Sequence, residues 1–491
     1  MAPNVAIVGA GFGGLCMAIQ LERAGIRSYT VFEKAQDLGG TWRDNSYPGA
    51  GCDIPSHLYS YSFEKYASWT RRYPEQPEIL GYLEHCADKY DIRRKIRFGT
   101  EVRRAVFHDS QWRLTTAPDA GDERTETFDV MVLGVGQLNR PRLPDIPGLS
   151  DFTGVSFHSA RWNHDHDLTG RRVAVIGNGS SAAQFVPRIA EQVERLHVFQ
   201  RTPNWVIPKP DATFGPLPRL AFRFVPGLQR AYREWIYRYA EATLYPALAQ
   251  GWSAGLLKKR ALRHLRDQVP DPDLRAKLTP DYPPGCKRVV IDSTFYPALV
   301  RDNVEVVTDK IVRIRPDGVE TTEGLREADT IVYATGFLST DFLAPMEIVG
   351  RGGRSLREQW AGRAEAYLGI SVPNFPNMFL LYGPNTNLGH NSIVFMIECQ
   401  VNHVMSCLPH LTAHGPIEVR PAAMAAWSRQ LDAAMDRMVW GGGCQSWYKT
   451  PEGRITNNWP GPTTLYRRLT AKPPLPAYQP VADQAVRDAG L

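Results

Sequence analysis

Short runs of aliphatic residues, each followed by glycines and then by a stretch with helical spacing of apolar positions, occur twice in the chain. Residues 5–14 read VAIVGAGFGG, and residues 173–182 read VAVIGNGSSA. The aliphatic runs predict buried strands, and the apolar spacing in 15–24 and 183–193 predicts a helix after each turn. A strand, a glycine turn and a helix in this order indicate a parallel βαβ unit. The pattern therefore predicts an α/β fold with two Rossmann-like domains.

The glycine turns have the form that binds a dinucleotide. The first glycine permits a tight turn, the second lets the backbone approach a pyrophosphate, and the third position must be small where helix and strand pack. The helix that follows directs free N–H groups and the positive end of its dipole at the phosphates. The residues predicted to contact the two pyrophosphates are Gly9, Gly11, Gly14, Gly177, Gly179, Ser180 and Ser181.

The ends of the second strands differ in charge between the two units. Glu33 follows Gly9 by 24 positions, and Arg201 follows Gly177 by the same 24 positions. A carboxylate at this place accepts hydrogen bonds from ribose hydroxyls, whereas a guanidinium suits a 2′-phosphate. One glycine motif alone is weak evidence, but two equal spacings with opposite charges are not. They predict an adenine dinucleotide such as FAD in the first unit and NADPH in the second.

A second repeat follows the glycine motifs, at 129–136 (DVMVLGVG) and 329–336 (DTIVYATG). It fits either two ordinary strands that end in turns or the returning strands of a two-dinucleotide-binding flavoprotein architecture. The second interpretation predicts the following layout: a discontinuous FAD-binding domain at 1–140 and 337–491, a linker at 141–170, and an NADPH-binding domain at 171–336 with a helical insertion at about 212–282.

The insertion carries an apolar and aromatic stripe at helical spacing, formed by Leu228, Ala231, Tyr232, Trp235, Ile236 and Tyr239. A helix rich in arginine and aromatic residues can lie on a membrane surface. Burial against the core, where the stripe would cover a pocket, is the preferred interpretation because aromatic stripes are usually buried.

Composition narrows the class of protein. The 491 residues are 43% hydrophobic and 22% charged, which excludes wholesale disorder. The net charge of +6 comes without a dense Lys/Arg run and does not indicate nucleic-acid binding. The longest stretch without Asp, Glu, Lys or Arg, 366–397, contains prolines and glycines, so no integral membrane span is expected.

The cysteines and the first residues indicate in which cellular compartment the protein is expected. Seven scattered cysteines without a CxxC pair predict neither a disulfide framework nor a zinc site, and they fit a reducing compartment. No HExxH motif or Cys/His cluster is present, so no metal is expected. The chain begins only four residues before a predicted strand, which leaves no room for a signal peptide. We expect a cytoplasmic protein.

The linker is similar to a family signature. Residues 152–163 read FTGVSFHSARWN, which resembles the FxGxxxHxxxW signature of type I Baeyer–Villiger monooxygenases. As in that family, the segment precedes the second glycine motif. Asn163 departs from the Pro or Asp that usually follows the tryptophan. The related flavin-containing monooxygenases typically carry Tyr or Phe in place of Trp162, so the resemblance favours the Baeyer–Villiger family.

Further segments extend this resemblance over nearly the whole chain. They are GGTWR at 39–43, YPGAGCD at 47–53, QRTPNW at 200–205, CKR at 286–288 and ATGF at 334–337. Gly51 stands where family members often have Arg. CQSWY at 444–448, together with WPG at 459–461, is similar to a subgroup near 4-hydroxyacetophenone monooxygenase.

The resemblance implies FAD and NADPH as cofactors and a ketone and O₂ as substrates. NADPH would reduce the flavin, a C4a-peroxyflavin would form, and one oxygen atom would be inserted beside the carbonyl to give an ester or a lactone. The residues implied to lie against the flavin are Gly40, Thr41, Trp42, Asp53 and Tyr59. Lys287 and Thr202 would join Arg201 around the 2′-phosphate.

The resemblance assigns catalysis to Arg288 and Asp53. A permanently charged guanidinium with several donors can stabilise an oxygen anion. Asp53 would hold Arg288 in place or take part in flavin reduction. Local sequence alone favours a surface role for Arg288 and explains Asp53 equally well as a turn-capping acid. His158 is expected to have a hinge or linker role in preference to that of a base.

Three other functions stay open at this point. A flavin-containing monooxygenase would oxidise sulfur or nitrogen, although Trp162 and Arg288 argue against it. A disulfide reductase needs a dithiol beside the flavin, and Cys52 has no nearby partner in the sequence. A non-catalytic flavin- and NADP-binding redox sensor would keep the nucleotide motifs while Arg288 could change without effect. The sequence gives no indication of the oligomeric state.

Overall fold

A computed structural model of the chain describes residues 2–119, 121–441, 443–444, 446–472 and 475–481. Its strands are β1 Val5–Val8, β2 Tyr29–Phe32, β3 Ile96–Arg97, β4 Thr100–His108, β5 Gln111–Pro118, β6 Arg124–Phe128, β7 Val130–Leu133, β8 Val155–His158, β9 Arg172–Ile176, β10 Arg195–Phe199, β11 Val206–Ile207, β12 Val290–Ile291, β13 Val304–Val307, β14 Ile311–Arg315, β15 Gly318–Thr321, β16 Gly324–Glu327, β17 Thr330–Tyr333, β18 Glu347–Val349, β19 Met378–Leu380, β20 Ile417–Val419 and β21 Tyr478–Pro480. Its α-helices are α1 Phe12–Arg23, α2 Thr41–Asp44, α3 Gln76–Lys89, α4 Ser180–Ile189, α5 Pro216–Phe224, α6 Leu228–Leu248, α7 Ala254–Gln268, α8 Pro272–Lys277, α9 Phe295–Leu299, α10 Leu356–Trp360, α11 Ile393–His414, α12 Pro421–Met435 and α13 Thr463–Thr470.

Two parallel sheets of the same internal order form the centre of the fold. The first has the order β19-β7-β1-β2-β3, and the second, written in the same direction, has the order β8-β17-β9-β10-β13. Helices cover both faces of such sheets, so their strands are continuous aliphatic runs, and Val5, Ala6 and Ile7 of β1 are fully buried. The predicted α/β fold with two Rossmann-like units is confirmed.

The repeat at 129–136 and 329–336 occupies equivalent places in the two sheets. β7 pairs with β1, and β17 pairs with β9. The carboxylate of Asp129 accepts a hydrogen bond from the backbone N–H of Asn4 at 2.8 Å, and that of Asp329 accepts from the N–H of Arg172 at 2.9 Å. Each acid therefore binds the backbone at the start of the neighbouring glycine-motif strand.

The two ends of the chain meet in the first unit. β19 pairs with β7 in parallel, with Phe379 opposite Val132. α11 packs along α1, and α13 packs on α11. The C-terminal part of the chain thus adds an edge strand and a covering helix to the unit that the N-terminal part begins. The domain boundaries themselves stay predictions.

The insertion differs from the sequence-based expectation. α5, α6, α7 and α8 lie within about 212–282, but the stripe on α6 is only partly buried. Ile236 is 4% exposed, whereas Trp235 and Tyr239 are 52% and 49% exposed. The expected burial of this stripe is therefore wrong for its largest side chains.

The cysteine pattern gave no reason to expect a disulfide, yet Cys286 and Cys444 are joined by one. Because the two residues lie 158 positions apart, sequence spacing carries no signal for the pair. The free cysteines of the described chain are all buried, at positions 16, 52, 86, 399 and 407. Among the described residues, no helix combines the length and apolar character needed to cross a bilayer.

Candidate active site

The first glycine turn carries a fixed carboxylate. Glu33 follows β2 and is only 4% exposed. Its two oxygens accept hydrogen bonds from the backbone N–H groups of Ala10, at 2.8 Å, and Ala35, at 3.0 Å, and Arg43 donates a third at 3.1 Å. A carboxylate has about four acceptor positions, so capacity remains for a ribose hydroxyl. The acid predicted from spacing thus lies at the turn.

Close approach of α1 to β1 requires glycine in this turn. A Cβ atom on Gly14 would lie 1.8 Å from the carbonyl oxygen of Gly9. Gly9 itself has φ of +99°, and a Cβ atom there would lie 2.7 Å from the carbonyl oxygen of Gly134. The amino end of α1 is thereby held against the carboxyl ends of β1 and β7, where a pyrophosphate would meet it.

The second glycine turn is tied to the end of β10. The side-chain amide of Asn178 donates to the side-chain oxygen of Gln200 at 2.9 Å and to the carbonyl of Thr202 at 3.1 Å. α4 begins at Ser180, directly after Gly179. A Cβ atom on Gly179 would meet no heavy atom within 4 Å, so this face of the turn is accessible to a ligand. The geometry fits a nucleotide phosphate at this helix end.

Three residues predicted to bind the 2′-phosphate come together beside this turn. Lys287 donates a hydrogen bond from Nζ to Oγ1 of Thr202 at 2.5 Å. Burial, and next the charge of Arg201, lower the pKa of Lys287, while Asp281 acts in the opposite direction. Two cations held close to each other are stabilised when an anion binds between them. The cluster therefore fits a phosphate dianion.

An ion pair joins the two nucleotide units. Asp53 follows the 47–52 loop of the first unit, and Arg288 precedes β12 in the second, 235 positions later. One terminal nitrogen of Arg288 donates to both carboxylate oxygens of Asp53, at 2.8 and 2.6 Å. The side chains are 29% and 20% exposed, so solvent screens the pair only partly. The Asp53 charge is the main cause that raises the pKa of Arg288 above its ordinary value.

Two tyrosines from the C-terminal part of the chain lie near the same guanidinium. Tyr448 is 1% exposed and lies close enough to Arg288 for the guanidinium charge to act on its phenol. Burial raises the pKa of Tyr448 to about 12, although the positive charge of Arg288 acts against the shift. Burial also raises the pKa of Tyr382. Sequence reasoning gave neither residue a role. The only indication of Tyr448 in the sequence was its place in the CQSWY motif at 444–448.

The aromatic residues predicted beside the flavin form one cluster. Trp42 lies in α2, and its indole N–H donates to the hydroxyl of Tyr59 at 3.1 Å. Phe12 of α1 packs edge-on against Tyr59 at 5.1 Å. α2 begins with Thr41, directly after Gly40, and an added Cβ on Gly40 would lie 3.2 Å from the Cα of Gly11. The predicted flavin residues therefore adjoin the first glycine turn.

Gln184 on α4 links the loop that precedes Asp53 to the second unit. Its side-chain oxygen accepts from the hydroxyl of Tyr47 at 2.8 Å and from the backbone N–H of Gly51 at 3.3 Å. Its side-chain amide donates to the carbonyl of Gly51 at 2.9 Å. Sequence reasoning missed Gln184 because nothing in its local pattern indicates a contact 133 positions away.

The linker histidine is engaged with the backbone. Nδ1 of His158 accepts from the N–H of Ala160 at 3.1 Å, and Nε2 lies 3.0 Å from the carbonyl of Gly336. Burial lowers the pKa of His158, which favours a neutral ring that donates from Nε2. Trp162 packs at 5.2 Å against Phe185 of α4. The contacts are those of a residue that fixes the linker.

The flavin-binding monooxygenase-like family matches residues 2–222 of the chain. The chain is 43% identical to a Baeyer–Villiger monooxygenase from Streptomyces coelicolor over 97% of its own length and 92% of the relative. Its structure is similar to an oxidised steroid monooxygenase bound to NADP, with a TM-score of 0.85 and 33% identity over 98% of this chain and 100% of that one. It is also similar to the OTEMO complex with FAD and NADP, with a TM-score of 0.86 and 28% identity over 98% and 100% of the chains.

The likenesses to the relative and to the solved structures extend over 97 to 98% of this chain. The resemblance found in the sequence, the two-dinucleotide-binding flavoprotein architecture and the expectation of an enzyme are confirmed. The subgroup near 4-hydroxyacetophenone monooxygenase stays a prediction, and Gln445 of its motif lies outside the described residues. The chain belongs to the Baeyer–Villiger monooxygenases within the flavin-binding monooxygenase-like family.

Proposed function

We propose that the chain is an NADPH- and FAD-dependent Baeyer–Villiger monooxygenase that inserts one oxygen atom from O₂ next to a ketone carbonyl and forms an ester or a lactone. The observation that carries this proposal is the Asp53–Arg288 ion pair at the junction of the two nucleotide units. The solved structures to which the chain is similar, bound to NADP or to FAD and NADP, support the cofactor assignment.

The described residues offer a place for each cofactor. FAD would be held by Gly9, Gly11, Gly14, Glu33, Gly40, Thr41, Trp42, Asp53 and Tyr59. NADPH would be held by Gly177, Gly179, Ser180, Ser181, Arg201, Thr202, Lys287 and Arg288. The fixed Glu33 carboxylate and the cation cluster around Lys287 support these two roles, because one suits ribose hydroxyls and the other suits a phosphate.

Bound flavin supplies electron transfer and oxygen activation. Arg288 supplies a positive charge that no change of pH within the working range can remove, with N–H donors for the negative charge that develops on the substrate oxygen. Asp53 fixes the direction of that guanidinium through two short hydrogen bonds. Tyr448, from a third segment of the chain, is buried beside this guanidinium.

Product analysis tests the proposal. Purified protein is incubated with NADPH and aryl, cyclic or linear ketones, alongside a sulfide control, and the products are identified by mass spectrometry. We expect a gain of one oxygen on ketones, with fragments of an ester or a lactone. Oxidation of the sulfide alone would support a flavin-containing monooxygenase that attacks sulfur or nitrogen, and NADPH oxidation without any oxygenated product would support the redox sensor.

A cytoplasmic location is part of the same proposal. Five of the seven cysteines are free and buried, which fits a reducing compartment, whereas the Cys286–Cys444 disulfide argues in the opposite direction. Fractionation of cells that make the protein at native level tests this. Recovery in the periplasmic or extracellular fraction would contradict it.

A further inference from the structure

Exposed apolar side chains are concentrated on the insertion. Among the described residues, 14 large hydrophobic side chains are exposed, and eight of them lie within 217–256. We call these eight the insertion face: Leu217, Leu220, Phe224, Val225, Trp235, Tyr239, Trp252 and Leu256. Scattered exposed hydrophobic residues are normal, but a concentration of this kind marks an interaction surface.

α5 contributes a one-sided apolar surface. Leu217, Leu220 and Phe224 stand at positions i, i+3 and i+7 of this helix and are 80%, 50% and 65% exposed. None of the residues of α5 is buried. Because the three positions share one side of a helix, α5 directs an apolar stripe away from the protein.

α6 packs on α5 through Phe222 and Tyr232, whose ring centroids lie 5.3 Å apart, and it carries stacked aromatic rings. Trp235 stacks on Tyr232 at 6.1 Å and on Tyr239 at 5.9 Å. Trp252, between α6 and α7, is 66% exposed, and Leu256 in α7 is 55% exposed. Trp and Tyr rings of this kind are enriched where a protein meets the boundary between lipid and water.

The excess of positive over negative charge in the whole chain comes from the same segment. Residues 216–263 hold nine of the 57 Lys and Arg residues but only two of the 51 Asp and Glu residues, a net charge of +7. The other residues hold 48 basic and 49 acidic side chains, a net charge of −1. Arg219, Arg223, Lys258 and Lys259 form no salt bridge with any described residue. The insertion therefore also carries cations that are available to an anionic partner.

We propose that the insertion face docks on an anionic phospholipid bilayer, with its apolar side chains in the headgroup and acyl boundary and its arginines and lysines on lipid phosphates. An amphipathic helix with a basic polar side and Trp, Phe and Leu on the other binds membranes in this way. Charge distinguishes this partner from a second copy of the chain, because two such basic segments would repel each other. Docking does not depend on the oxygenation chemistry, so it is measured separately from ester formation.

Flotation of holoenzyme with vesicles tests this proposal. We expect binding to phosphatidylcholine vesicles that contain phosphatidylglycerol, weaker binding to pure phosphatidylcholine vesicles, and release by salt. The variant L217S/F224S should bind about tenfold more weakly or worse, since two apolar side chains no longer enter the lipid. R219E/R223E should weaken binding to the anionic vesicles by a similar factor but leave binding to pure phosphatidylcholine nearly unchanged.

Leu475→Ser is the matched control, because Leu475 is 45% exposed but lies far from the insertion in the sequence. All variants should keep their flavin and their ester formation, which shows that they fold. Three results would overturn the proposal: no binding of the unchanged holoenzyme to anionic vesicles, equal loss in Leu475→Ser, or a change from oligomer to monomer in L217S/F224S without any vesicle binding. The last result would assign the face to a second copy of the chain.

Discussion

At the scale of single residues, Asp53 determines where the charge of Arg288 lies. Both carboxylate oxygens accept from one guanidinium nitrogen, at 2.8 and 2.6 Å. A guanidinium keeps its proton with or without a carboxylate beside it, so Asp53 is not needed to keep Arg288 charged. We propose that its contribution is direction, so its loss should impair turnover more than it impairs binding.

Asp53→Asn tests this role. We expect kcat for ester formation to fall about 10- to 100-fold, a range typical for the loss of a residue that orients a catalytic group, while KM for the ketone changes little. Asp341→Asn is the control, because Asp341 forms an exposed ion pair with Arg140. A change in KM alone, or an equal effect of the control, would contradict the positioning role.

Arg201→Ala tests the phosphate cluster. In this variant the KM for NADPH should rise about 10- to 100-fold, which corresponds to the binding free energy of one hydrogen bond to a charged group. The KM for NADH should stay nearly unchanged. Arg195→Ala, at the start of β10, provides a matched loss of charge. Steady-state kinetics with both coenzymes decide the question, and an unchanged preference for NADPH would place the 2′-phosphate elsewhere.

Residue spacing predicted some of these contacts and could not predict others. Glu33 and Arg201 follow from a fixed distance after a glycine, because strand and helix lengths in a βαβ unit are constrained. Asp53 and Arg288 were found only through family resemblance, since 235 positions separate them. Gln184 and Tyr448 were missed because long-range side-chain contacts leave no local pattern.

At the scale of elements, the packing of α1 on β1 positions the first nucleotide site. The contact depends on the absence of a side chain at Gly14, whose added Cβ would lie 1.8 Å from the Gly9 carbonyl oxygen. Gly14→Ala should therefore push the amino end of α1 away from the strand. Gly81 in α3 is a suitable comparison, because an added Cβ there meets nothing within 4 Å.

The prediction is that Gly14→Ala lowers the flavin content of the purified protein severalfold or makes the protein insoluble. Gly81→Ala should keep full flavin content and gain up to about 1 kcal/mol from helix propensity. Flavin absorbance relative to protein absorbance provides the measurement. Equal flavin content in the two variants would show that the close approach is not required.

The strands were predictable from sequence, and the surroundings of the insertion were not. Continuous aliphatic runs such as Val173–Ile176 have few alternatives to a strand covered on both faces. An aromatic stripe such as that of Trp235 and Tyr239 indicates only that one side of a helix is apolar. Whether other parts of the protein cover that side depends on the tertiary structure. In this fold the two rings are about half exposed.

At the scale of the whole molecule, buried histidines make the fold sensitive to acid. Burial, with a smaller contribution from Arg233, lowers the pKa of His57 to about 4, and burial lowers the pKa of His403 to about 4. In the unfolded chain both would titrate near 6.5. Between these values the unfolded state binds protons that the folded state does not, so the free energy of unfolding falls as pH falls from about 6.5 to 4.

His403→Gln should make this pH dependence less steep. The histidine accounts for up to about 3 kcal/mol of lost stability across the window, as an order of magnitude, and the loss disappears when the group cannot bind a proton. Urea unfolding of the holoenzyme at several pH values measures the slope. His414→Gln, at an exposed position on the same helix, should leave the slope unchanged. An unaltered slope in His403→Gln would contradict the prediction.

The role of Arg288 in oxygen transfer is tested by the ratio of ester formed to NADPH consumed by Arg288→Ala. We expect the variant to oxidise NADPH at a substantial rate while ester formation falls by about 100-fold or more, the usual effect of removing a donor that stabilises an oxygen anion. Arg301→Ala, a half-exposed arginine beside Glu191, should keep the ratio of the unchanged enzyme. An unchanged ratio in Arg288→Ala would show that this guanidinium does not direct oxygen to the carbonyl.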